Sequence, residues 1–393
     1  MSLAGAWREG DPTGHRRLAE VGTITLEARG ALPDVTVAYE TWGTLNAARD
    51  NAVLVLHALT GDSHVSGPAG PGHPTAGWWD ALVGPGRALD TDRWFVVAPN
   101  VLGGCQGTSG PSSKAPDGRA WGSRFPFLTV RDQVEAEARL ADRLGIDAWA
   151  SVIGGSMGGM RVLEWAVTHP DRVRTALVLA SSALATAEQI AWCEPQLLAI
   201  RSDPAWHGGD YHEHPGPGPV TGLGIARRIA HTTYRSELEL AERFGRRAQG
   251  EEQPLGGGGR YAVESYLDHH ASKLAARFDP GSYVVLTEAM NSHDVGRGRG
   301  GVERALRRVS ADLVVAAVDS DRLYPPRLSE EIVAATPTAR PLVMVESPYG
   351  HDGFLIETHQ VATAVREVLA APAAVANGRP RRTGVRASGT PAL

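Results

Sequence analysis

The sequence has few cysteines, no marked excess of either charge and no long apolar run, and each shortage excludes a class of protein. Only two cysteines occur among 393 residues, Cys105 and Cys193, too few for a disulfide scaffold and typical of a reducing compartment. The formal net charge of −5 offers no basic surface for nucleic acid or an anionic membrane. The longest uncharged apolar stretch, residues 175–187, is shorter than the roughly 20 residues of a membrane-spanning helix, and the N-terminus lacks the apolar core of a secretion signal. We therefore expect a cytoplasmic globular protein without nucleic-acid or membrane partners.

The first half of the chain alternates between apolar runs and amphipathic segments. Short aliphatic runs predict strands at residues 35–43, 51–59, 94–100, 149–156 and 174–182. Residues 129–144 carry apolar side chains at helical spacing and are followed by Gly145, a helix-ending residue. Strand–helix alternation is typical of a mostly parallel sheet covered by helices on both faces. The sequence thus predicts an α/β fold.

This alternation stops after residue 182 and returns near residue 311. Between them we expect helices and loops, including one helix over 224–244, a glycine-rich break at 250–259 and another helix over 261–278. Strands are predicted again at 311–321 and 341–347, followed by a helix over 357–369. The predicted organisation is therefore a core in two parts, 1–182 and 302–371, a helical insertion at 183–301, and a disordered tail at 372–393, where Ala, Gly, Pro and Arg occur without periodicity.

The sequence GGSMGG at residues 154–159 lies where a predicted strand ends and a helix begins. It contains the pattern G-x-S-x-G with two further glycines beside it. Neighbours without side chains permit a turn tight enough to lift a serine hydroxyl above the sheet, as a nucleophile elbow requires. Glycine and serine also cluster in ordinary loops, but the strand before and the helix after favour a nucleophile. Ser156 is the predicted nucleophile.

Serine becomes reactive when a base removes its proton, and on this fold the partners follow in the order acid, then histidine. His351 lies in a short loop after a late strand and is the predicted base. Asp321 follows the preceding strand and is the predicted acid that orients the histidine. Asp319 remains an alternative, since strand ends inferred from sequence are uncertain by a residue or two.

An oxyanion hole needs two backbone N–H donors. One is expected from Met157, the residue after the nucleophile. The other is expected from the loop after an early strand, where Leu59 is preferred and Ala58 is the alternative. Only backbone groups are involved, so the side chains do not distinguish these two positions.

Four other histidines are not assigned to the catalytic chain. His57 lies at a strand end and His293 in the insertion, and both are expected to be structural or supporting. His212 and His214 with Glu213 resemble metal ligands, but their Pro- and Gly-rich loop has no fixed spacing to a fourth ligand. We expect these three to be solvated and the protein to need no metal.

Six segments resemble homoserine O-acetyltransferases, a family of the α/β-hydrolase superfamily. They are HALTGDSH (57–64), GGSMGGMRVLEWA (154–166), ARRIAHTTYRSE (226–237), NSHDVGRGRGG (291–301), DSDRLYPP (319–326) and GHDGFL (350–355). The pattern G-x-S-x-G marks only the superfamily, whereas the Met-Gly-Gly-Met elbow and the Arg- and His-rich insertion motifs are more particular.

The resemblance implies an α/β-hydrolase core with an inserted helical lid, and a reaction of methionine biosynthesis. An acetyl group would pass from acetyl-CoA to the hydroxyl of L-homoserine by a ping-pong route through acetyl-Ser156, with no cofactor. Arg227 would bind the homoserine carboxylate and Asp352 its ammonium group, with Tyr234 on the same helix face as Arg227. The resemblance also implies a homodimer that uses the insertion helices.

Several alternatives stay open at this point. Arg227 could belong to a solvated helix face, and Asp352 could cap the following helix. The donor could be succinyl-CoA, or the acceptor could be serine. The same triad would also serve an esterase, and a binding protein without catalytic activity can share the fold.

Overall fold

An eight-stranded sheet forms the centre of the protein in the computed structural model, which describes residues 5–370. The strands of the described chain are β1 (Arg17–Thr25), β2 (Ala31–Trp42), β3 (Ala52–Leu56), β4 (Val83–Gly84), β5 (Leu89–Asp90), β6 (Phe95–Pro99), β7 (Trp149–Gly155), β8 (Val173–Leu179), β9 (Asp312–Val318) and β10 (Val343–Val345). Strands β4 and β5 pair only with each other, and the order in the main sheet is β1-β2-β6-β3-β7-β8-β9-β10. The β1–β2 and β2–β6 pairs are antiparallel and the others are parallel. The prediction of a mostly parallel sheet is confirmed.

Helices cover both faces of this sheet and form a separate group above one end. They are α1 (Val130–Leu144), α2 (Met157–Thr168), α3 (Ala187–Arg201), α4 (Val220–Tyr234), α5 (Glu237–Phe244), α6 (Ala262–Ala275), α7 (Pro280–Asn291), α8 (Val302–Leu306), α9 (Pro326–Ala335), α10 (Gly353–Ile356) and α11 (Thr358–Leu369). Side chains of β3 alternate between two apolar clusters: Leu54 and Leu56 join the cluster of α1 and α2, whereas Val53 and Val55 join that of α11. This alternation buries both faces of the strand, as its continuous apolar run predicts.

Helices α3 to α7 lie between β8 and β9 in the chain. Their apolar side chains, such as Leu197, Leu223 and Tyr283, share one buried cluster with Leu59 and Met157, which lie just beyond β3 and β7. The helical group therefore packs over the carboxyl ends of the central strands. Parallel sheets bind their ligands at this edge.

One local expectation is wrong, and one long strand was not predicted. The helix expected over 224–244 is two helices, because Arg235 takes an extended conformation (ψ 146°) and the Ser236 side chain accepts the N–H of Glu239 to start α5. Strand β1 was not expected, because much of it is exposed and polar and it is held by antiparallel pairing with β2. The predicted tail at 372–393, with residue 371, lies outside the described residues.

Within residues 5–370, no helix has the length and apolar character needed to cross a bilayer.

Candidate active site

Ser156 occupies a sharp turn between β7 and α2. Its φ of 56° and ψ of −125° lie in a region that side-chain-bearing residues rarely adopt, a strain that persists only where the surroundings enforce it. The backbone on both sides of this turn is tied to the next strand, because the N–H of Ser156 donates to the Leu179 carbonyl (2.9 Å) and the Ser181 hydroxyl donates to the Ser156 carbonyl (2.9 Å). The turn therefore holds the serine hydroxyl in one place.

Glycines on either side of Ser156 allow close packing that any side chain would prevent. A Cβ at Gly158 would lie 2.1 Å from the Leu56 carbonyl oxygen, and one at Gly155 would lie 2.5 Å from the Phe354 ring. The start of α2 is consequently pressed against the end of β3. This contact brings the N–H of Met157 towards the loop that contains Leu59.

The structure brings Ser156, His351 and Asp321 into one hydrogen-bonded chain. His351 Nε2 lies 2.8 Å from Ser156 Oγ, and His351 Nδ1 lies 2.6 Å from Asp321 Oδ2. The other oxygen of Asp321 accepts the N–H groups of Leu323 and Tyr324, each at 2.8 Å. This arrangement lets the histidine take a proton from serine while the carboxylate orients the imidazole.

Asp319, the alternative acid, points elsewhere. Its carboxylate is exposed and accepts the N–H groups of Ser320 (2.8 Å) and Ser347 (2.9 Å), which fixes the loop rather than the histidine.

Two opposing effects set the basicity of His351. Burial lowers the pKa of its imidazole, but the adjacent Asp321 carboxylate favours the protonated ring and leaves the pKa raised above its ordinary value of 6.5. The ring stacks on Tyr324 (centroids 4.9 Å apart) and meets Phe354 edge-on (5.4 Å). A base of this kind is held in orientation by packing as well as by hydrogen bonds.

Two backbone N–H groups are available beside the serine. Among residues 5–370, the N–H groups of Met157 and Leu59 donate to no protein acceptor. Both residues are buried in the same apolar cluster, whereas Ala58 packs against the cluster on the α11 face of the sheet. The packing favours Leu59 over Ala58 as the partner of Met157.

Arg227 is half-buried rather than solvated. Its guanidinium lies 5.5 Å from the centre of the Tyr234 ring and its Nη1 is 3.5 Å from the Thr60 hydroxyl. Tyr234 in turn lies 5.8 Å from the His351 ring. Within the described chain, the buried Nε of Arg227 has no hydrogen-bond acceptor, so the side chain keeps donor capacity for a ligand.

Asp352 does not cap the helix that follows it. Its carboxylate makes no capping hydrogen bond to α10, and Oδ2 lies 3.2 Å from Nη1 of Arg235. Burial raises the pKa of Asp352, against the opposing effects of His351, Arg227 and Arg235. Arg235 itself is fixed by Glu239 at 2.8 Å.

Arg227 and Asp352 line one cleft of about 230 Å³ next to the triad. The other lining residues are His231, His270, Lys273, Leu274, Arg277, Leu355 and Ile356. A cation and a carboxylate facing one small cleft complement a molecule with both charges, such as an amino acid. A second, smaller cavity of about 30 Å³ lies behind Leu59, Tyr234 and Tyr324.

Several supporting residues were not predicted from the sequence. Tyr324 and Phe354 pack on His351, and Arg235 pairs with Asp352, yet none of the three carries a spacing signal that would single it out. His212 corrects an expectation: it is not solvated, since its side chain is 5% exposed and its Nε2 lies 3.5 Å from Asp279 Oδ1. His57 and His293 are both buried. His57 contacts the Ala58 carbonyl through Nδ1 and accepts the N–H of Val101 at Nε2, and His293 contacts the Ser182 carbonyl (3.2 Å).

One buried group elsewhere has the residue types of a metal site, formed by Glu40, His64 and His73. The two imidazoles are stacked, with centroids 3.8 Å apart and planes at 12°. Nearly parallel stacked rings cannot both aim an in-plane lone pair at one ion. His64 instead has acceptors at both nitrogens, Glu40 Oε2 at 2.9 Å and the Pro68 carbonyl at 3.2 Å, and its pKa is raised because these groups outweigh burial.

Comparisons with known proteins agree with this geometry. A family model described as alpha/beta hydrolase fold matches residues 51–358. A homoserine O-acetyltransferase of Thermobifida fusca (strain YX) is 66% identical over 371 residues, which cover 94% of this chain and 98% of the relative. One of Mycobacterium tuberculosis (strain ATCC 25177 / H37Ra) is 57% identical over 352 residues, covering 90% of this chain and 92% of the relative.

The solved structures with this fold include both acetyltransferases and esterases by name. The crystal structure of a homoserine O-acetyltransferase from Bacillus anthracis has a TM-score of 0.83 at 27% identity and covers 91% of this chain and 98% of its own. Esterase E22 has a TM-score of 0.82, also at 27% identity, covering 90% of this chain and 99% of its own. The overall fold thus accommodates hydrolysis and transfer, and the distinction must come from the site.

Proposed function

Because the chain belongs to the homoserine O-acetyltransferases of the α/β hydrolase fold and is therefore an acyltransferase, we propose that it moves an acetyl group from acetyl-CoA to the hydroxyl of L-homoserine. The product would be O-acetyl-L-homoserine, an intermediate of methionine biosynthesis. The observation that carries the proposal is the position of Arg227 and Asp352, which face one cleft beside the hydrogen-bonded chain of Ser156 and His351.

In the first half-reaction, Ser156 Oγ attacks the thioester carbonyl while His351 Nε2 takes its proton. The carbonyl oxygen becomes negative and receives hydrogen bonds from the N–H groups of Leu59 and Met157. The carbon–sulfur bond then breaks, CoA leaves as a thiol with the proton from His351, and an acetyl ester remains on Ser156. This route needs no resident cofactor or metal.

In the second half-reaction, the hydroxyl of homoserine gives its proton to His351 and attacks the acetyl ester. The same two N–H groups stabilise the tetrahedral intermediate, and the bond to Ser156 Oγ breaks as His351 returns the proton. Arg227 would hold the substrate carboxylate and Asp352 its ammonium group, with Tyr234 beside them. Binding at both charges places the hydroxyl near the acyl group, which is how an alcohol outcompetes water.

An esterase activity is the second candidate, since esterase E22 has the same fold. A charged pair in the cleft has no role in hydrolysing a simple ester, which supports transfer. Helices α3 to α7 pack over the site and restrict the access of bulk water.

The test begins with acetyl-CoA alone. We expect a mass gain of one acetyl group on the peptide that contains Ser156, absent in Ser156→Ala. The acetylated enzyme is then mixed with homoserine, serine or buffer, and separately the enzyme is supplied with succinyl-CoA in place of acetyl-CoA. Rapid deacylation by homoserine and slow deacylation in buffer support the proposal, whereas equal rates in both would identify an esterase.

We also propose a homodimer formed by the insertion helices. Ile190 and Leu198 of α3 and Ile225 of α4 are large apolar side chains left exposed on these helices. Such side chains are typical of an interface when they adjoin one another. Sedimentation equilibrium should give a molar mass twice that of one chain. The Leu198→Asp variant should give the mass of a single chain.

A further inference from the structure

The peptide that supplies the Leu59 N–H is held from its other side. The carbonyl oxygen of Ala58 lies 2.8 Å from His57 Nδ1 and accepts the N–H of Gly61 at 2.9 Å. Ala58 and Leu59 are joined by a trans peptide, because residues 5–370 contain no cis bond. In a trans peptide the C=O and the N–H point in opposite directions. The groups that hold the Ala58 carbonyl therefore also set the direction of the Leu59 N–H.

The protonation of His57 follows from its second contact. The N–H of Val101 donates to His57 Nε2 at 3.0 Å, so Nε2 is an acceptor and the ring proton resides on Nδ1. Burial, together with the charge of Arg161, lowers the pKa of His57 to about 3. The ring is thus neutral in the range where the enzyme works, and Nδ1–H remains the donor to Ala58.

The ring cannot easily turn away from this position. It is 1% exposed, and a Cβ added at Gly61 would lie only 2.8 Å from His57 Cβ. Arg161 donates to the His57 carbonyl and pairs with Glu137 at 2.6 Å, both being fully buried. The backbone at His57 is therefore fixed by a buried ion pair, and the Ala58 carbonyl is fixed by the N–H of Gly61.

We propose that His57 is a positioning residue of the oxyanion hole: its Nδ1–H holds the Ala58 carbonyl and so aims the Leu59 N–H at the carbonyl oxygen of the acyl donor. The inference rests on the proposed function, since it assumes that an acyl group is transferred to Ser156. It assigns to a buried histidine outside the triad a role in the rate of acylation rather than in substrate binding.

Two variants test the two hydrogen bonds of the His57 ring separately, the one to the Ala58 carbonyl and the one from the Val101 N–H. In His57→Asn, the side-chain amide nitrogen replaces Nδ1 and can still donate to the Ala58 carbonyl. In His57→Gln, the amide oxygen replaces Nε2 and can still accept from Val101, but the donor to Ala58 is lost. Loss of one oxyanion donor slows acylation by roughly 10²- to 10³-fold, so we expect a loss approaching about 10²-fold for His57→Gln and most of the rate retained in His57→Asn.

The measurements are the single-turnover rate of Ser156 acetylation, the KM for acetyl-CoA and the thermal midpoint of each variant. The proposal requires a fall in the rate for His57→Gln with KM unchanged, and recovery in His57→Asn. Equal losses in both variants, or losses that follow the thermal midpoint, would assign His57 a structural role only and overturn it.

A measurement on the unaltered protein covers the case in which the variants do not fold. In protein labelled with ¹⁵N-histidine, long-range correlation spectra at neutral pH should show His57 with its proton on Nδ1. A proton on Nε2 would overturn the inference. Different results would refute the two proposals. Absence of acetyl-Ser156 in the unaltered protein would refute the proposed function, whereas the tautomer of His57 can be measured whether or not Ser156 is acetylated.

Discussion

Asp352 and Arg235 form an ion pair next to His351 in the chain, with Oδ2 of the carboxylate 3.2 Å from Nη1 of the guanidinium. The pair uses only one carboxylate oxygen. Within residues 5–370, Oδ1 of Asp352 accepts no hydrogen bond, and Asp352 lines the cleft that contains Arg227. Arg235 therefore fixes the carboxylate while one of its oxygens keeps its acceptor capacity, as the proposed contact with the homoserine ammonium group requires.

This geometry predicts how Asp352→Asn changes catalysis. A hydrogen bond to a charged group contributes about 1.5–3 kcal/mol, so we expect the KM for homoserine to rise by about 10- to 100-fold. Acetylation of Ser156 by acetyl-CoA should be little altered, because homoserine takes no part in it. Steady-state kinetics and the mass of the acyl-enzyme measure the two effects, with Glu330→Gln, an exposed change on α9, as the control. An unchanged KM would remove Asp352 from the substrate site.

The pH dependence should follow His351. The imidazole acts as a base only when neutral, and its pKa lies above 6.5, so kcat/KM should fall as the pH decreases through a midpoint above 6.5. Asp321→Asn removes the group that raises this pKa, so the remaining activity should have its acid midpoint at lower pH. By comparison with other triads, kcat should also fall by about 10⁴-fold. A pH profile of the variant with an unshifted midpoint would show that Asp321 does not set the basicity of His351.

Stability should depend on the buried pair of Glu40 and His64. The pKa of Glu40 is lowered although burial opposes this, and that of His64 is raised, so the pair stabilises the fold above about pH 4.5 and below about pH 6.5. As the pH rises through the folded-state pKa of His64, this contribution is lost. Glu40→Gln removes the carboxylate that favours the charged ring, so His64 loses its proton and the variant should lose about 1.5–3 kcal/mol near pH 6.

Urea unfolding at pH 6 and pH 9 measures this effect. The difference between the unaltered protein and Glu40→Gln should be larger at pH 6, where His64 is charged. Glu303→Gln provides the control, because its pair with Arg307 lies on the surface and should contribute little at either pH. Equal differences at both pH values would mean that His64 is neutral in the folded protein.

The elbow should not accept a methyl group at Gly158. A Cβ there would lie 2.1 Å from the Leu56 carbonyl oxygen, and neither backbone can yield without moving the nucleophile. Gly158→Ala should therefore abolish acetylation of Ser156 and lower the thermal midpoint. Gly258→Ala is the matched control, because a Cβ at that position meets nothing within 4 Å. A Gly158→Ala protein with normal acylation would contradict the close packing of α2 on β3.

Much of the fold follows from local pattern. The buried strands are continuous apolar runs, and α1 is bounded by a Thr129–Asp132 capping box and by Gly145 with a φ of 67°, all visible as residue types. The break between α4 and α5 was missed although Ser236, with its side chain accepting the N–H of Glu239, is a local signal for the start of a helix. The pairing of the extended Arg235 with Asp352, a residue of a distant loop, could not be read from the sequence.

The residues of the site that could be predicted are those that directly follow the end of a strand. Ser156, Asp321 and His351 could be chosen because parallel strands bring their carboxyl ends together. For the oxyanion partner, Leu59 was preferred with Ala58 left as the alternative, because the two positions differ only in which way a backbone N–H points. In our proposal that direction follows from the contact of His57 Nδ1 with the Ala58 carbonyl, which no periodicity in the sequence encodes.

The hydrogen bond between Ser156 and His351 joins residues 195 positions apart, with the whole helical insertion between them. During synthesis, the turn at Ser156 is translated long before the loop of His351. A chain that ends before residue 351 lacks the imidazole that contacts Ser156 Oγ, and also the Phe354 ring that packs on Gly155. We therefore expect acetyl-CoA to acetylate Ser156 only in chains that include this loop.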